Sequence, residues 1–191
     1  VTGVQTCALP ISGKNVLIEK PMTLHKDDAE QLIFTSLRKN KQVFVVKQNR
    51  FNPPVQHMKV LMEKGLLGKI YFVVVNCYWN RNNDYYKKSD WKGKKNEDGG
   101  TLFTQFSHFV DIAYYLFGDI DLNSISGVIK NVCHEGLIDF EDTGAFNFKF
   151  KSGALGSLSY TTASYQQNME GSITVFSENA TIKIGGQYLN T

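Results

Sequence analysis

The sequence predicts a short parallel α/β unit followed by a larger, open and largely antiparallel sheet with helices on one face. Three observations carry this. Two continuous apolar runs, residues 15–18 and 42–46, flank one amphipathic helical stretch, the pattern of a parallel sheet covered on both faces. Beyond residue 51 the chain turns to strand-length runs separated by LysSerGly at 151–153 and SerGluAsn at 177–179, which are turn tripeptides. Between the two patterns lies DGGTLFTQFSHFVDIAYYLFG, residues 98–118, greasy at helical spacing nearly all round and therefore suited to a core helix.

Taken in order, residues 1–11 read as the in-frame translation of a common sequencing adapter and are set aside from the fold, Cys7 with them. The implied gene begins upstream of this reading frame. AsnValLeuIle at 15–18 reads as a buried strand with GluLysPro at its carboxyl end, and Thr23 is expected to cap a helix running to about Lys39, with Asp27, Asp28 and Glu30 near its positive end. GlnValPheValVal at 42–46 is the second buried strand. Asn52 with Pro53 and Pro54 opens the next helix, which Gly65 ends. A long strand runs from 70 to about 79, and an irregular stretch rich in Asn, Tyr, Lys and Trp follows to Asp98. The central helix spans about 102–117, with Thr101 as cap and Gly118 as its stop. Strands are expected at 123–133, 144–150, 154–164, 172–176 and 181–184. Residues 12–50 and 51–191 thus form two parts, and the second ends without an obvious closing element, as if its sheet continued. Apolar residues alternate on both sides of the late strands (Val128, Val132, Phe146, Phe148, Phe150, Leu155, Leu158, Tyr160), so the face away from the helices is expected to meet another subunit.

Composition narrows the functional classes. The net charge of +3 is spread along 191 residues, and the Lys pairs between 87 and 95 form only a small basic cluster, which argues against nucleic-acid binding. No apolar run is long enough for a membrane span. Cys7, Cys77 and Cys133 lack metal-ligand or redox spacing, and an odd count without a secretory signal suggests reduced thiols in the cytoplasm. His25, His57 and His134 are read as surface residues without carboxylate or cysteine companions, and no metal site is expected.

Thr104, Ser107, His108, Asp111 and Tyr115 share one face of the central helix and make a polar seam in a core element. Two readings stay open on the seam alone. His108 is either a core histidine satisfied by Asp111 or a carbonyl, or an acid–base group facing a ligand cleft with Asp111 setting its tautomer.

GluLysPro at 19–21, AsnArgPheAsnPro at 49–53, GlyLysIle at 68–70 and GlyGlyThrLeuPheThrGlnPheSerHisPheValAsp at 99–111 together resemble the glucose-fructose oxidoreductase and inositol dehydrogenase (Gfo/Idh/MocA) family. The resemblance covers essentially everything after Ser12. It implies the last part of a Rossmann domain for NAD or NADP at 12–50, then a substrate-binding and oligomerisation domain from 51. Glu19, Lys20 and Pro21 match the cofactor-side motif, with a cis Lys20–Pro21 peptide, and Lys20 stands between nicotinamide and substrate. His108 matches the histidine that takes the hydroxyl proton. Many members carry Asp four residues before that histidine; here the position is Thr104. ThrGln at 104–105, TyrTrpAsnArgAsn at 78–82 and SerAspTrpLysGly at 89–93 look like the bacterial enzymes that oxidise C3 of UDP-N-acetylglucosaminuronate. Arg81, Trp91, Lys92, Thr104, Gln105 and Asp111 are substrate-side candidates; Arg81 and Lys92 are either holders of a carboxylate or diphosphate or solvated surface charges. A homo-oligomer acting on a sugar or nucleotide sugar is the implied whole; a free-sugar or cyclitol dehydrogenase, and a non-catalytic assembly module, are the alternatives. The glycine-rich phosphate loop does not occur in this sequence. The 191-residue chain alone is therefore expected to be inactive and to show no specific nicotinamide binding by calorimetry, and micromolar NAD binding would contradict this.

Overall fold

The computed structural model describes residues 12–187, so the adapter-like stretch at 1–11 lies outside it. Strands β1 (Val16–Ile18) and β2 (Val43–Val45) pair in parallel, with helix α1 (Lys26–Arg38) between them in the chain. Leu32 anchors α1 and is fully buried, and Asp27 and Asp28 stand in its first turn, at the positive end of the helix dipole. Two expectations need correction. The helix starts after His25, and Thr23 donates its hydroxyl to the His25 carbonyl instead of capping. Neither strand is buried throughout: Val16 is, but Leu17 is 74% exposed and Phe44 51%, because two strands and one helix cover only one side.

A 3-10 turn (Gln48–Phe51) leads to α2 (Pro53–Glu63), whose first turn takes the two prolines at no cost in helical hydrogen bonds. After α2 comes β3 (Ile70–Tyr78), and then a region expected to be irregular, which forms two short helices, α3 (Asn83–Lys87) and α4 (Lys95–Asp98). The Asn82 side chain caps α3 by accepting from the Tyr85 amide, and Gly99 ends α4 in the left-handed region.

The central helix is not continuous. It comprises α5 (Thr101–Thr104) and α6 (Ser107–Phe117), and Gly100, not Thr101, occupies the cap position. At the break Phe106 is completely buried, its ring 5.0 Å from that of Trp79 and 5.3 Å from that of Tyr160. Burying that ring against the sheet outweighs the helical hydrogen bonds lost there.

Strands β4 (Ile120–Lys130), β5 (Thr143–Phe150), β6 (Leu155–Thr161), β7 (Glu170–Ser177) and β8 (Thr181–Gln187) complete a six-stranded sheet in the order β4-β5-β6-β3-β7-β8. Every pairing is antiparallel except β3 with β6. One face carries Val73, Val75, Phe148, Phe150, Leu158, Tyr160, Ile173 and Val175 and packs on α2 and α6, whose Met58, Ile112 and Leu116 belong to the same core. The alternation had suggested apolar residues on both faces. The structure turns Phe148, Phe150, Leu158 and Tyr160 into this core and leaves Val128 and Leu155 exposed. The open face is mixed: Phe72 stacks on Phe176 at 6.0 Å, while the Tyr78 and Ser159 hydroxyls lie 2.6 Å apart and those of Thr143 and Thr161 2.8 Å apart. Among the described residues no helix is long and apolar enough to cross a membrane.

Candidate active site

The break between α5 and α6 shapes the site. It frees the Thr104 carbonyl from the helical ladder, and Lys20 Nζ, arriving from the carboxyl end of β1, donates to it at 2.7 Å. The Lys20–Pro21 peptide is cis, as expected, and the Lys20 amide donates to Glu19 Oε2 at 3.3 Å. His108 lies one turn beyond Thr104 and is 9% exposed. No described residue forms a hydrogen bond with its ring. Burial holds the His108 pKa below its usual value, and the positive charges of Lys20 and Lys47 push it the same way, against Asp111 and Glu19. Burial likewise lowers Lys20, helped by Lys47 and opposed by Glu19 and Asp98. A neutral imidazole beside an ammonium is an arrangement able to take a proton while the cation stabilises the oxygen that loses it.

Asp111 does not orient His108. Its carboxylate is gripped by the Arg50 fork, from Nε at 2.8 Å and Nη2 at 2.7 Å, with Lys47 Nζ at 3.7 Å. This bidentate pair ties the polar seam of α6 to the 3-10 turn that follows β2. Tyr115 continues the seam: its hydroxyl accepts from Gln56 at 3.3 Å, and Lys59 lies 3.9 Å from its ring centre. Arg50 and Lys47 were not singled out from the sequence. The AsnArgPheAsnPro motif was the available signal for Arg50, but its partner lies 61 residues away.

The Thr104 hydroxyl donates to the Gly100 carbonyl at 2.9 Å, so it satisfies its own helix. Thr104→Ala removes nothing that Lys20 needs, because the carbonyl remains. It is expected to change kcat by no more than a few-fold; a hundredfold loss in steady-state turnover would give the hydroxyl a direct role.

Gln105 connects this centre to a second cluster. Its Oε1 accepts from Arg81 Nε at 3.0 Å, and its Nε2 donates to the Tyr85 hydroxyl at 2.7 Å. The Arg81 guanidinium also donates to the Asn80 carbonyl and lies about 5 Å from the ring centres of Trp79 and Tyr85. Lys92 Nζ stands 3.9 Å from the Tyr85 ring centre, with Trp91, 46% exposed, at 5.8 Å. Among the described residues neither Arg81 nor Lys92 pairs with a carboxylate. Two cations held on aromatic rings without acidic partners form a surface suited to an anion.

A cavity of about 960 Å³ runs along α6 past Lys47, Ser107 and Asp111, but Lys20 and His108 are absent from its walls. Its one seam carboxylate, Asp111, is already paired with Arg50.

His25 and His57 are exposed, as expected. The expectation for His134 is overturned. It is buried at 4% exposure, with Nδ1 2.9 Å from Asp142 Oδ2 and 3.2 Å from Cys133 Sγ. Asp142 reaches it only because the β4–β5 hairpin folds back, so spacing along the chain gave no sign of the carboxylate. Cys133, Asp142 and His134 place three potential metal ligands within 4.8 Å of one another, a grouping the sequence reading did not foresee. The Cys133 thiol is pushed up to about 12, by burial first and then by Asp142.

The fold defines a class: an open-sheet α/β domain that meets a parallel β–α–β unit through Lys20, beyond β1, and the Thr104 carbonyl. Residues 55–183 match the model of the GFO/IDH/MocA C-terminal domain, and the chain belongs to that family. It is similar to the WlbA dehydrogenase of Bordetella pertussis, whose crystal structure is a complex with NADH and UDP-GlcNAcA: 36% identity, TM-score 0.91, covering 96% of this chain and 52% of that one. Oxidoreductase P35 of Formosa agariphila is 26% identical over 144 residues, 74% of this chain and 43% of that protein. The NADP-dependent scyllo-inositol 2-dehydrogenase IolW of Bacillus subtilis is 30% identical over 115 residues, 59% of this chain and 31% of that protein. The chain thus spans about half or less of the length of these relatives.

Proposed function

We propose that the protein containing this chain oxidises a secondary hydroxyl of a negatively charged, nucleotide-linked sugar, an amino sugar or uronate of the kind used in surface-polysaccharide synthesis. Residues 12–50 are read as the closing part of a Rossmann cofactor domain and 51–191 as the substrate domain. The observation that carries the reading is that Lys20 is anchored on the Thr104 carbonyl, one helical turn before His108, near enough for its charge to lower the His108 pKa. When bound, a nicotinamide cofactor supplies the hydride acceptor; Glu19, Lys20 and Pro21, beyond the carboxyl end of β1, fit the position beside it. The chain's own residues handle the rest. The O–H bond of the substrate breaks as its proton passes to the His108 ring, the Lys20 ammonium stabilises the negative charge that builds on the oxygen, and the carbon–oxygen double bond forms as the C–H bond is lost. Arg81 and Lys92, which have no carboxylate partner among the described residues, hold the anionic part of the substrate. UDP-GlcNAcA, the ligand in the WlbA complex, carries such charges and supports this choice.

The test is cofactor reduction by the full-length protein with UDP-N-acetylglucosaminuronate, UDP-N-acetylglucosamine, free sugars and inositols, each with NAD and NADP. The reading expects kcat/KM for the nucleotide-linked uronate to exceed the others by on the order of tenfold or more, the weight of one charge-assisted contact. A preference for an inositol would favour the cyclitol alternative, and no turnover with any would favour an assembly module.

The open sheet face, with Phe72, Leu155 and Phe176 among hydroxyls, is proposed as the contact with a second copy. Light scattering of the full-length protein should give a mass above the monomer; a monomer at high concentration would contradict it.

A further inference from the structure

His134 and Asp142 have no part in the Lys20–His108 chemistry proposed above but connect to Arg81, the proposed anion ligand. Both nitrogens of the His134 ring are committed. Nε2 is 2.7 Å from the carbonyl oxygen of Arg81, which can only accept, so Nε2 donates there. Nδ1 faces Asp142 Oδ2 at 2.9 Å. Asp142 is completely buried and fixed in turn: it accepts from the amides of Val132 and Cys133, both at 2.9 Å, and from the Thr143 hydroxyl at 3.0 Å. Burial alone would raise the Asp142 carboxyl, yet these amides and His134 hold it below its ordinary value. The Tyr86 ring meets the imidazole edge-on at 5.0 Å.

Arg81 is therefore pinned by its main chain on both sides, with its amide donating to Thr162 O at 2.8 Å and its carbonyl accepting from His134. Its side chain then reaches Gln105, next to the Thr104 carbonyl that receives Lys20. A guanidinium fork recognises an anion by direction as well as charge, so the backbone that carries it has to be fixed.

We propose that His134, backed by Asp142, is a positioning residue that holds the Arg81 main chain and thereby aims its guanidinium at the anionic part of the substrate. This rests on the reading above, in which Arg81 binds that anion. The pair touches neither the reacting hydroxyl nor the cofactor.

The experiment is a double-substitution cycle in the full-length enzyme, His134→Phe with Arg81→Ala, read as KM for UDP-N-acetylglucosaminuronate. Phenylalanine keeps the ring against Tyr86 but can donate to nothing. Each single variant is expected to raise KM by on the order of 10- to 100-fold, more than it lowers kcat. The double variant should rise no further than Arg81→Ala alone. His134→Gln, whose amide can still donate to the Arg81 carbonyl, should recover most of the affinity. If His134→Phe does not fold, Asp142→Asn takes its place in the same cycle, with the same expected coupling. Additive effects in the cycle, or a wild-type KM in folded His134→Phe, overturn the proposal while leaving Arg81 as an anion ligand. A wild-type KM in Arg81→Ala removes the underlying reading, and the proposal with it.

Discussion

Lys20→Ala in the full-length enzyme is expected to lower kcat by at least on the order of 10²–10³, the cost of removing one preorganised donor from a developing oxyanion. In the proposed reaction that charge forms beside Lys20, whose Nζ is fixed 2.7 Å from a carbonyl that the α5–α6 break leaves available. Its half-buried setting makes the loss larger than a surface lysine would give, since little water can replace the ammonium. Lys20→Arg should recover only part of the rate, because a planar fork cannot reproduce a compact point charge at the same place. Turnover within a few-fold of wild type in Lys20→Ala would remove Lys20 from the chemistry.

His108→Ala is expected to lower kcat by on the order of 10²–10⁴, the usual contribution of a positioned acid–base group. Its pH behaviour gives the sharper reading. Burial and the charges of Lys20 and Lys47 favour the neutral ring, so the His108 pKa lies below 6.5 and the base form is already present at neutral pH. Oxidation needs that base form. The rate of the wild-type enzyme should therefore climb as pH rises through this lowered pKa and level off above it. In His108→Ala the climb should be absent. In Lys20→Ala one of the charges that depress His108 is gone, so the residual activity should climb at a higher pH than in the wild type. An unchanged rising limb in His108→Ala would assign the base to another group.

Much of this arrangement was legible in the sequence because it rests on local rules. Apolar continuity gave β1 and β2, the prolines gave the start of α2, and the turn tripeptides at 151–153 and 177–179 gave the hairpins, with most strand ends within a few residues. The Lys20–His108 pair came from ordered motifs, and the polar seam was visible from helical spacing alone. What stayed hidden depends on partners far along the chain. Phe106 fits the apolar helical pattern, so nothing local announces the break; Trp79 and Tyr160 across the core decide it. Asp111 looked like a partner for His108 at helical spacing, but Arg50, 61 residues away, offers a bidentate fork that an imidazole cannot match. His134 looked exposed because the residues that bury it, Tyr86, Asp142 and the Arg81 carbonyl, converge only when the sheet forms.

The central claim is that Lys20 and His108 act on one substrate hydroxyl. Its most direct test is a crystal structure of the full-length protein with a nicotinamide cofactor and UDP-N-acetylglucosaminuronate. The reacting hydroxyl should lie within about 2.6–3.2 Å of both Lys20 Nζ and a His108 ring nitrogen, with the uronate or diphosphate against Arg81. A bound sugar whose reacting hydroxyl meets neither side chain, or meets an acid–base group elsewhere in the cleft, would contradict it.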